Sequence, residues 1–165
     1  MIHKLLGPFW QIWANPAHQL HPQIVHFPIV FLVLEAVTLI IFAIRKQPQV
    51  ATLSLIFLHC AFWTMLLAVL SGLNDVGLDL GAGNRIALGF QDRWENAFRA
   101  QSSVTIHVWL ALILIALTAM RLLWRSLARN RALSGVNGVA FAVVTLLNFW
   151  GLLAAAYIGG SITHK

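Results

Sequence analysis

Five residues with ligating or proton-exchanging side chains stand near the ends of long apolar stretches of this 165-residue sequence. They are His21, His26, Asp75, His107 and His164. The first two belong to the stretch HQLHPQIVHFPIVF, which leads into an unbroken apolar run. Imidazole is an axial ligand of haem iron and a common metal ligand, and His and Asp side chains relay protons inside membranes. These residue types therefore predict redox, metal or proton chemistry.

Four apolar stretches are long enough to cross a bilayer, which takes about 20 residues. They cover residues 24–44, 52–73, 104–124 and 136–158. Only 10% of the residues are charged, whereas about a quarter are charged in a soluble domain. We see no sequence repeat. The sequence therefore predicts a single all-α domain, an integral membrane four-helix bundle whose main partner is the lipid bilayer.

Two segments remain outside the predicted spans. Residues 1–20 carry Trp10 and Trp13 on an amphipathic pattern and predict a short interfacial helix lying on the membrane. Residues 75–102 form a long loop, and loops of this length are usually functional or disordered. Phe90, Trp94 and Phe98 recur in it at four-residue spacing. That stripe indicates docking, either on the bundle itself or on a partner.

The basic residues indicate the orientation of the spans. Those at the two short connections are Arg45, Lys46, Arg121, Arg125, Arg129 and Arg131, with no acid among them. The positive-inside rule puts these connections in the cytoplasm, so both termini and the long loop face the periplasm of a bacterial inner membrane. The net charge of +6 is explained in the same way. No basic patch recurs on a soluble domain, so nucleic-acid binding is not expected.

This topology gathers the five polar residues into one layer at the outer membrane face. Two imidazoles on facing helices of a bundle hold a b-type haem economically, and His26 and His107 are the best pair because each lies inside its helix. His21, Asp75 and His164 would surround that pair and serve haem propionates, a quinone or a partner.

Other interpretations of the layer stay open. The same side chains could bind a divalent metal, with His26 and His107 as ligands, or a quinone, or they could cap helices at the headgroup level. The small residues on the helices are equally open. Gly151, Ala155 and Gly159 recur at four-residue spacing, which suits close helix packing and also leaves room for a flat macrocycle.

Three further residues carry expectations. Glu35 is the only acid inside a span and should be protonated or paired, with Asn148 and His59 as candidate partners. His59 stands alone and should hydrogen-bond to a neighbouring helix. Pro28 removes a helical hydrogen bond, so either the helix begins near Gln23 or a kink places His26.

Three motifs resemble a bacterial membrane-protein family known as domain of unknown function 2231. HPQIVHFPIVFLVLEAV resembles the opening signature of that family, and LSGLND and YIGGSITHK resemble the end of its second helix and its closing segment. His107 falls where the family has a histidine opening its third helix. The resemblance covers roughly residues 20–160 and implies a four-helix membrane protein without a settled activity. The layout also looks like small four-helix cytochromes b.

We therefore predict a membrane electron-transfer subunit that carries one haem b and links a periplasmic redox protein with the quinone pool. It would be a carrier, and any enzyme activity would belong to a larger complex of subunits. The sequence has no nucleophile beside a base and no paired catalytic carboxylates. A cofactor-free anchoring subunit and a metal-handling membrane protein are the alternatives.

Overall fold

The computed structural model describes residues 21–79, 95, 98 and 102–163, and within them the chain forms helices and no strand. The helices are α1 (His21–Ile24), α2 (His26–Arg45), α3 (Pro48–Asp79), α4 (Ser102–Ala128) and α5 (Gly135–Thr163), with a 3-10 helix at Arg129–Leu133 between the last two. The predicted all-α class is confirmed.

Four segments are long and apolar enough to cross a membrane: His21–Arg45, Pro48–Gly72, Ser103–Ala128 and Gly135–Ser161. A helix of 25 residues is about 37 Å long, which exceeds the hydrocarbon core of about 30 Å. Large apolar side chains such as Ile44 and Tyr157 are exposed along these helices, as expected of surfaces that face lipid. The helix α3 continues to Asp79, so the start of the predicted 75–102 loop is helical instead.

The first span is broken at Val25, which separates α1 from α2. Proline has no N–H, so Pro28 cannot donate to the carbonyl of Ile24 four residues earlier. The Val25 N–H still donates to the His21 carbonyl at 3.1 Å. Of the two expectations for Pro28, a helix that already begins at His21 and is interrupted before His26 is the one observed.

Two tight connections fold the spans into antiparallel hairpins. Lys46 ends α2 in the left-handed conformation (φ 53°) and its N–H donates to the Phe42 carbonyl at 2.8 Å, a common way to end a helix. Pro48 then occupies the first turn of α3, where its missing N–H costs nothing. The 3-10 helix and Gly135 (φ 54°) make the corresponding turn between α4 and α5.

The helices pack in chain order around the bundle, α2 against α3, α3 against α4 and α4 against α5. The α2–α5 contact closes the ring and is the least extensive of the four. The apolar core between them consists of Leu32, Leu58, Ala61, Met65, Leu114, Phe141, Leu152 and Ala155. The starts of α1 and α4 and the ends of the second and fourth spans share one end of the bundle, which we call the histidine end.

A buried ion pair joins α2 to α4 beside Phe141 of this core. Glu35 and Arg121 are 1% and 0% exposed, and Arg121 Nη2 donates to Glu35 Oε1 at 2.5 Å. The expectation that Glu35 is paired is confirmed, but its partner is Arg121 and neither Asn148 nor His59. A carboxylate in hydrocarbon gains most from a full opposite charge.

Arg121 and Arg125 therefore do not belong to the connection between the last two spans, as the charge count assumed. Both side chains are buried in the bundle, and Arg125 Nη2 donates to the Ala51 carbonyl at 2.8 Å. Arg129 and Arg131 remain exposed at that connection. It stays basic, but less so than predicted.

Two other expectations are decided by packing. His59 is exposed, and its Nδ1 lies 2.9 Å from the Leu55 carbonyl of its own helix, so the predicted bond to a neighbouring helix is wrong. The Phe98 ring packs on Trp109 of α4 with ring centroids 5.4 Å apart. For Phe98, docking on the bundle is thus confirmed, while Phe90, Trp94 and the interfacial helix predicted for residues 1–20 lie outside the described residues.

Candidate functional site

A cavity of about 420 Å³ lies inside the bundle at the histidine end. All four spans contribute to its wall, and three of its lining residues are the histidines His21, His26 and His107. The rest of the wall is mostly aliphatic, with Met65 and Leu114 of the core at its inner side. The volume falls in the range of about 300–1,000 Å³ typical of small-molecule sites.

His21 is fastened to α3 on the far side of the hairpin. Its Nδ1–H donates to the Ala68 carbonyl at 2.8 Å and lies 3.1 Å from Ser71 Oγ. The ring lies on Gly72, where an added Cβ would be 3.0 Å from the ring Cε1. A side chain at this position would therefore push the imidazole away from the α3 backbone.

His107 has an equivalent seat on α5. Its Nδ1–H donates to the Ala155 carbonyl at 3.0 Å. The ring lies on Gly159, where an added Cβ would again be 3.0 Å from Cε1. The two rings, from α1 and α4, approach each other edge to face with their centroids 6.1 Å apart.

His26 reaches the cavity from the break in the first span. Its Nδ1–H donates at 2.6 Å to the carbonyl of Pro22, the group that the His26 N–H would reach in a continuous helix. Unlike the other two histidines of the cavity, His26 is exposed. The break after α1 therefore both frees a carbonyl and supplies the side chain that bonds to it.

These bonds fix the chemistry that the imidazoles can offer. A neutral imidazole that donates from Nδ1 carries its lone pair on Nε2, and a ligating histidine commonly has its other nitrogen bound to a carbonyl in this way. Among the described residues, no hydrogen bond engages Nε2 of His26 or His107. Both side chains are thus in a form that can act as a ligand or as a hydrogen-bond acceptor.

The small residues serve two purposes. Gly151 accommodates a Leu114 methyl group, which an added Cβ would meet at 2.9 Å, so it serves helix packing. Ala68, Ala111 and Ala155 line the cavity. Close helix packing is thus confirmed at Gly151, and room for a macrocycle at the cavity stays a prediction.

The residues described do not form a cage for a bare metal ion. Among them, no group of three or more His, Cys, Asp or Glu side chains is close enough together to hold one. A haem needs at most two axial ligands from the protein, since its porphyrin supplies the other four. The three imidazoles that line the cavity have aliphatic and small neighbours.

A second polar cluster, which the sequence analysis missed, lies between this cavity and the short connections. Asn148 Nδ2 donates to Thr118 Oγ1 at 2.8 Å, and Thr118 lies 3.5 Å from Met65 Sδ in the cavity wall. Arg121, one helical turn beyond Thr118, begins the buried ion pair described above. The sequence did contain a signal for this ion pair. Arg121 lies inside the predicted 104–124 span, at a depth similar to that of Glu35, and its charge is opposite.

The predicted site residues are brought together in part. His21, His26 and His107 line one cavity. Asp75 falls in the last turns of α3, where only the backbone is described, and His164 lies outside the described residues. For those two residues, the roles predicted from the sequence stay predictions.

One comparison with known proteins gives a match. The model of a family described as "Predicted membrane protein (DUF2231)" matches residues 17–164. No curated protein and no solved structure matches the chain. The matched range includes every helix described above, and the family description carries no activity.

Proposed function

The chain belongs to the DUF2231 family of predicted membrane proteins, and we propose that it is an electron-transfer subunit that holds one b-type haem in the cavity at the histidine end. The single observation that carries this proposal is the set of three imidazoles on one aliphatic cavity inside a membrane bundle. Histidines within transmembrane helices are costly and are usually functional. A haem, when bound, supplies reversible one-electron exchange at its iron.

We assign the axial positions to His26 and His107. Both donate from Nδ1 to a backbone carbonyl, so the Nε2 lone pair of each would be available to hold the iron. His21 would orient the site, because its ring is held by α3 and contacts the His107 ring edge to face. The side chains of Asp75 and His164 would meet the propionates or a partner.

The proposal includes an orientation and a location. Arg45, Lys46, Arg129 and Arg131 lie at the end of the bundle opposite the cavity, and the positive-inside rule puts that end in the cytoplasm. The cavity and both termini would then be near the periplasmic face of a bacterial inner membrane. A haem there would exchange electrons with a periplasmic redox protein on one side and with the quinone pool on the other.

The test is an absorbance spectrum of the detergent-purified protein, reduced with dithionite minus oxidised, after expression with added haem. We expect a sharp α band of the b type, which His26→Ala and His107→Ala each abolish. His59→Ala is the matched control, because His59 has the same Nδ1-to-carbonyl bond within its own helix and does not line the cavity. A featureless spectrum of the unaltered protein would overturn the proposal.

A further inference from the structure

The described residues that line the cavity differ in exposure from one side of the bundle to the other. Its lining residues on α3 and α4 are all buried or half-buried. Three other lining residues are exposed, namely His26, Ala156 and Gly160. These three come from the first and the last span, so the wall opens between α2 and α5.

Helix packing explains why the opening lies there. The α2–α5 contact is the least extensive around the bundle. Ala156 and Gly160 have little or no side-chain volume to fill the space between α2 and α5. On the facing side, the first span is interrupted at Val25. Among the residues that the structure describes, no Asp, Glu, Lys or Arg lines the cavity.

The opening lies inside the membrane, below the ends of the spans, and therefore faces the lipid sideways. Ala156 stands five residues before Ser161, and His26 five residues after His21, where these spans end. At 1.5 Å per residue, both lie about 7–8 Å inside the span ends, which is near the boundary between headgroups and acyl chains. A gap between two lipid-facing helices at that depth communicates with the bilayer.

We infer that the cavity exchanges its ligand with the bilayer through the opening bounded by His26, Ala156 and Gly160. The ligand class is a flat, mostly apolar molecule with a polar edge, which keeps that edge among the headgroups while its body moves sideways between α2 and α5. Haem has this character, and naming it as the ligand rests on the proposed function. The lateral route itself rests on the exposed lining residues.

Single cysteines at the opening test the route. The only native cysteine is first removed as Cys60→Ser, and Ala156→Cys is compared with Ala154→Cys, which is exposed on the same helix but does not line the cavity. Both proteins are reconstituted in phosphatidylcholine vesicles and labelled with a lipid-soluble maleimide. Hemin dissolved in the vesicles at ten times its dissociation constant should slow labelling of Ala156→Cys about tenfold and leave Ala154→Cys unchanged.

A charged, membrane-impermeant thiol reagent tests whether the cavity is reached from water. If it labels Ala156→Cys faster than Ala154→Cys, the cavity opens to water and the inference is overturned. It is also overturned if a haem band forms but hemin gives no protection. If no haem band forms while a short-chain quinone protects Ala156→Cys, the lateral route stands and the haem proposal fails; if neither molecule protects, the route fails as well.

Discussion

The two inner imidazoles depend on single glycines. His21 on Gly72 and His107 on Gly159 repeat the same arrangement, in which the ring covers a glycine and Nδ1–H donates to a carbonyl four residues earlier on that helix. Helix interiors normally disfavour glycine. Here its missing side chain lets an imidazole bond directly to the backbone of another helix.

Gly159→Ala and Gly160→Ala should therefore change stability in opposite directions. An added Cβ at position 159 meets His107 at 3.0 Å, whereas at position 160 no described residue comes within 4 Å of an added Cβ. We expect Gly159→Ala to cost about 1–3 kcal/mol through overpacking, and Gly160→Ala to gain up to about 1 kcal/mol through helix propensity. Unfolding in detergent with increasing SDS measures the free energy of unfolding of both variants. Equal effects would contradict the contact of the His107 ring with Gly159.

Single residues also show where sequence reasoning stops. His26 and His59 are both exposed, and each donates from Nδ1 to the carbonyl four residues before it. Locally they are alike, yet only His26 borders the cavity. The difference comes from neighbouring helices, which composition and spacing do not specify.

At the scale of helices, length and apolarity determine most of the outcome. The four spans and their antiparallel order could be predicted because hydrocarbon leaves a chain few alternatives to helices of sufficient length. The break at Pro28 was predictable as one of two outcomes, since proline removes one identifiable bond. The partner of Glu35 was not, because Arg121 lies in the last third of its span and was assigned to the membrane edge.

The contact between α2 and α4 through Glu35 and Arg121 predicts a strong coupling. Glu35→Gln should cost about 3–5 kcal/mol in the free energy of unfolding, because it leaves buried arginine charge uncompensated. Combined with Arg121→Met it should cost less than the sum of the two single changes. SDS unfolding of the four proteins measures the coupling, with Arg45→Met at the exposed end of α2 as a control within about 0.5 kcal/mol of the original. Additive costs would mean that the pair does not join the helices.

At the scale of the whole molecule, the two hairpins are structural equivalents. Helices α1–α3 form the first and α4–α5 the second, and both begin and end at the histidine end. Corresponding positions, 86 or 87 residues apart, are His21 and His107, Glu35 and Arg121, Ala68 and Ala155, and Gly72 and Gly159. The pairs His21–His107 and Glu35–Arg121 each meet in the middle of the bundle. This is the arrangement of parallel repeats about an axis along the membrane normal.

The sequence conceals this relation for a physical reason. Two charged groups that meet across such an axis must have opposite signs, so the Glu35 carboxylate in one hairpin faces the Arg121 guanidinium in the other. Core positions likewise differ, with Ser54 on α3 where Phe141 stands on α5. Equivalent positions therefore carry identical side chains at the histidine end and unlike side chains deeper in the bundle, and the few identical pairs are too widely spaced to stand out as a repeat.

If each hairpin is a structural unit, the chain should assemble from two pieces. Residues 1–85 and 86–165 can be co-expressed as two separate chains, divided in the connection between α3 and α4. When the first chain carries an affinity tag, the second should co-purify with it in a one-to-one ratio. Glu35→Arg in the first fragment should abolish recovery of the second, because two buried cations then face each other. Arg121→Glu in the second fragment should restore it, since equivalent positions across an axis can exchange charges and keep the pair. If the second fragment still fails to co-purify when Glu35→Arg and Arg121→Glu are combined, the two positions are not equivalent.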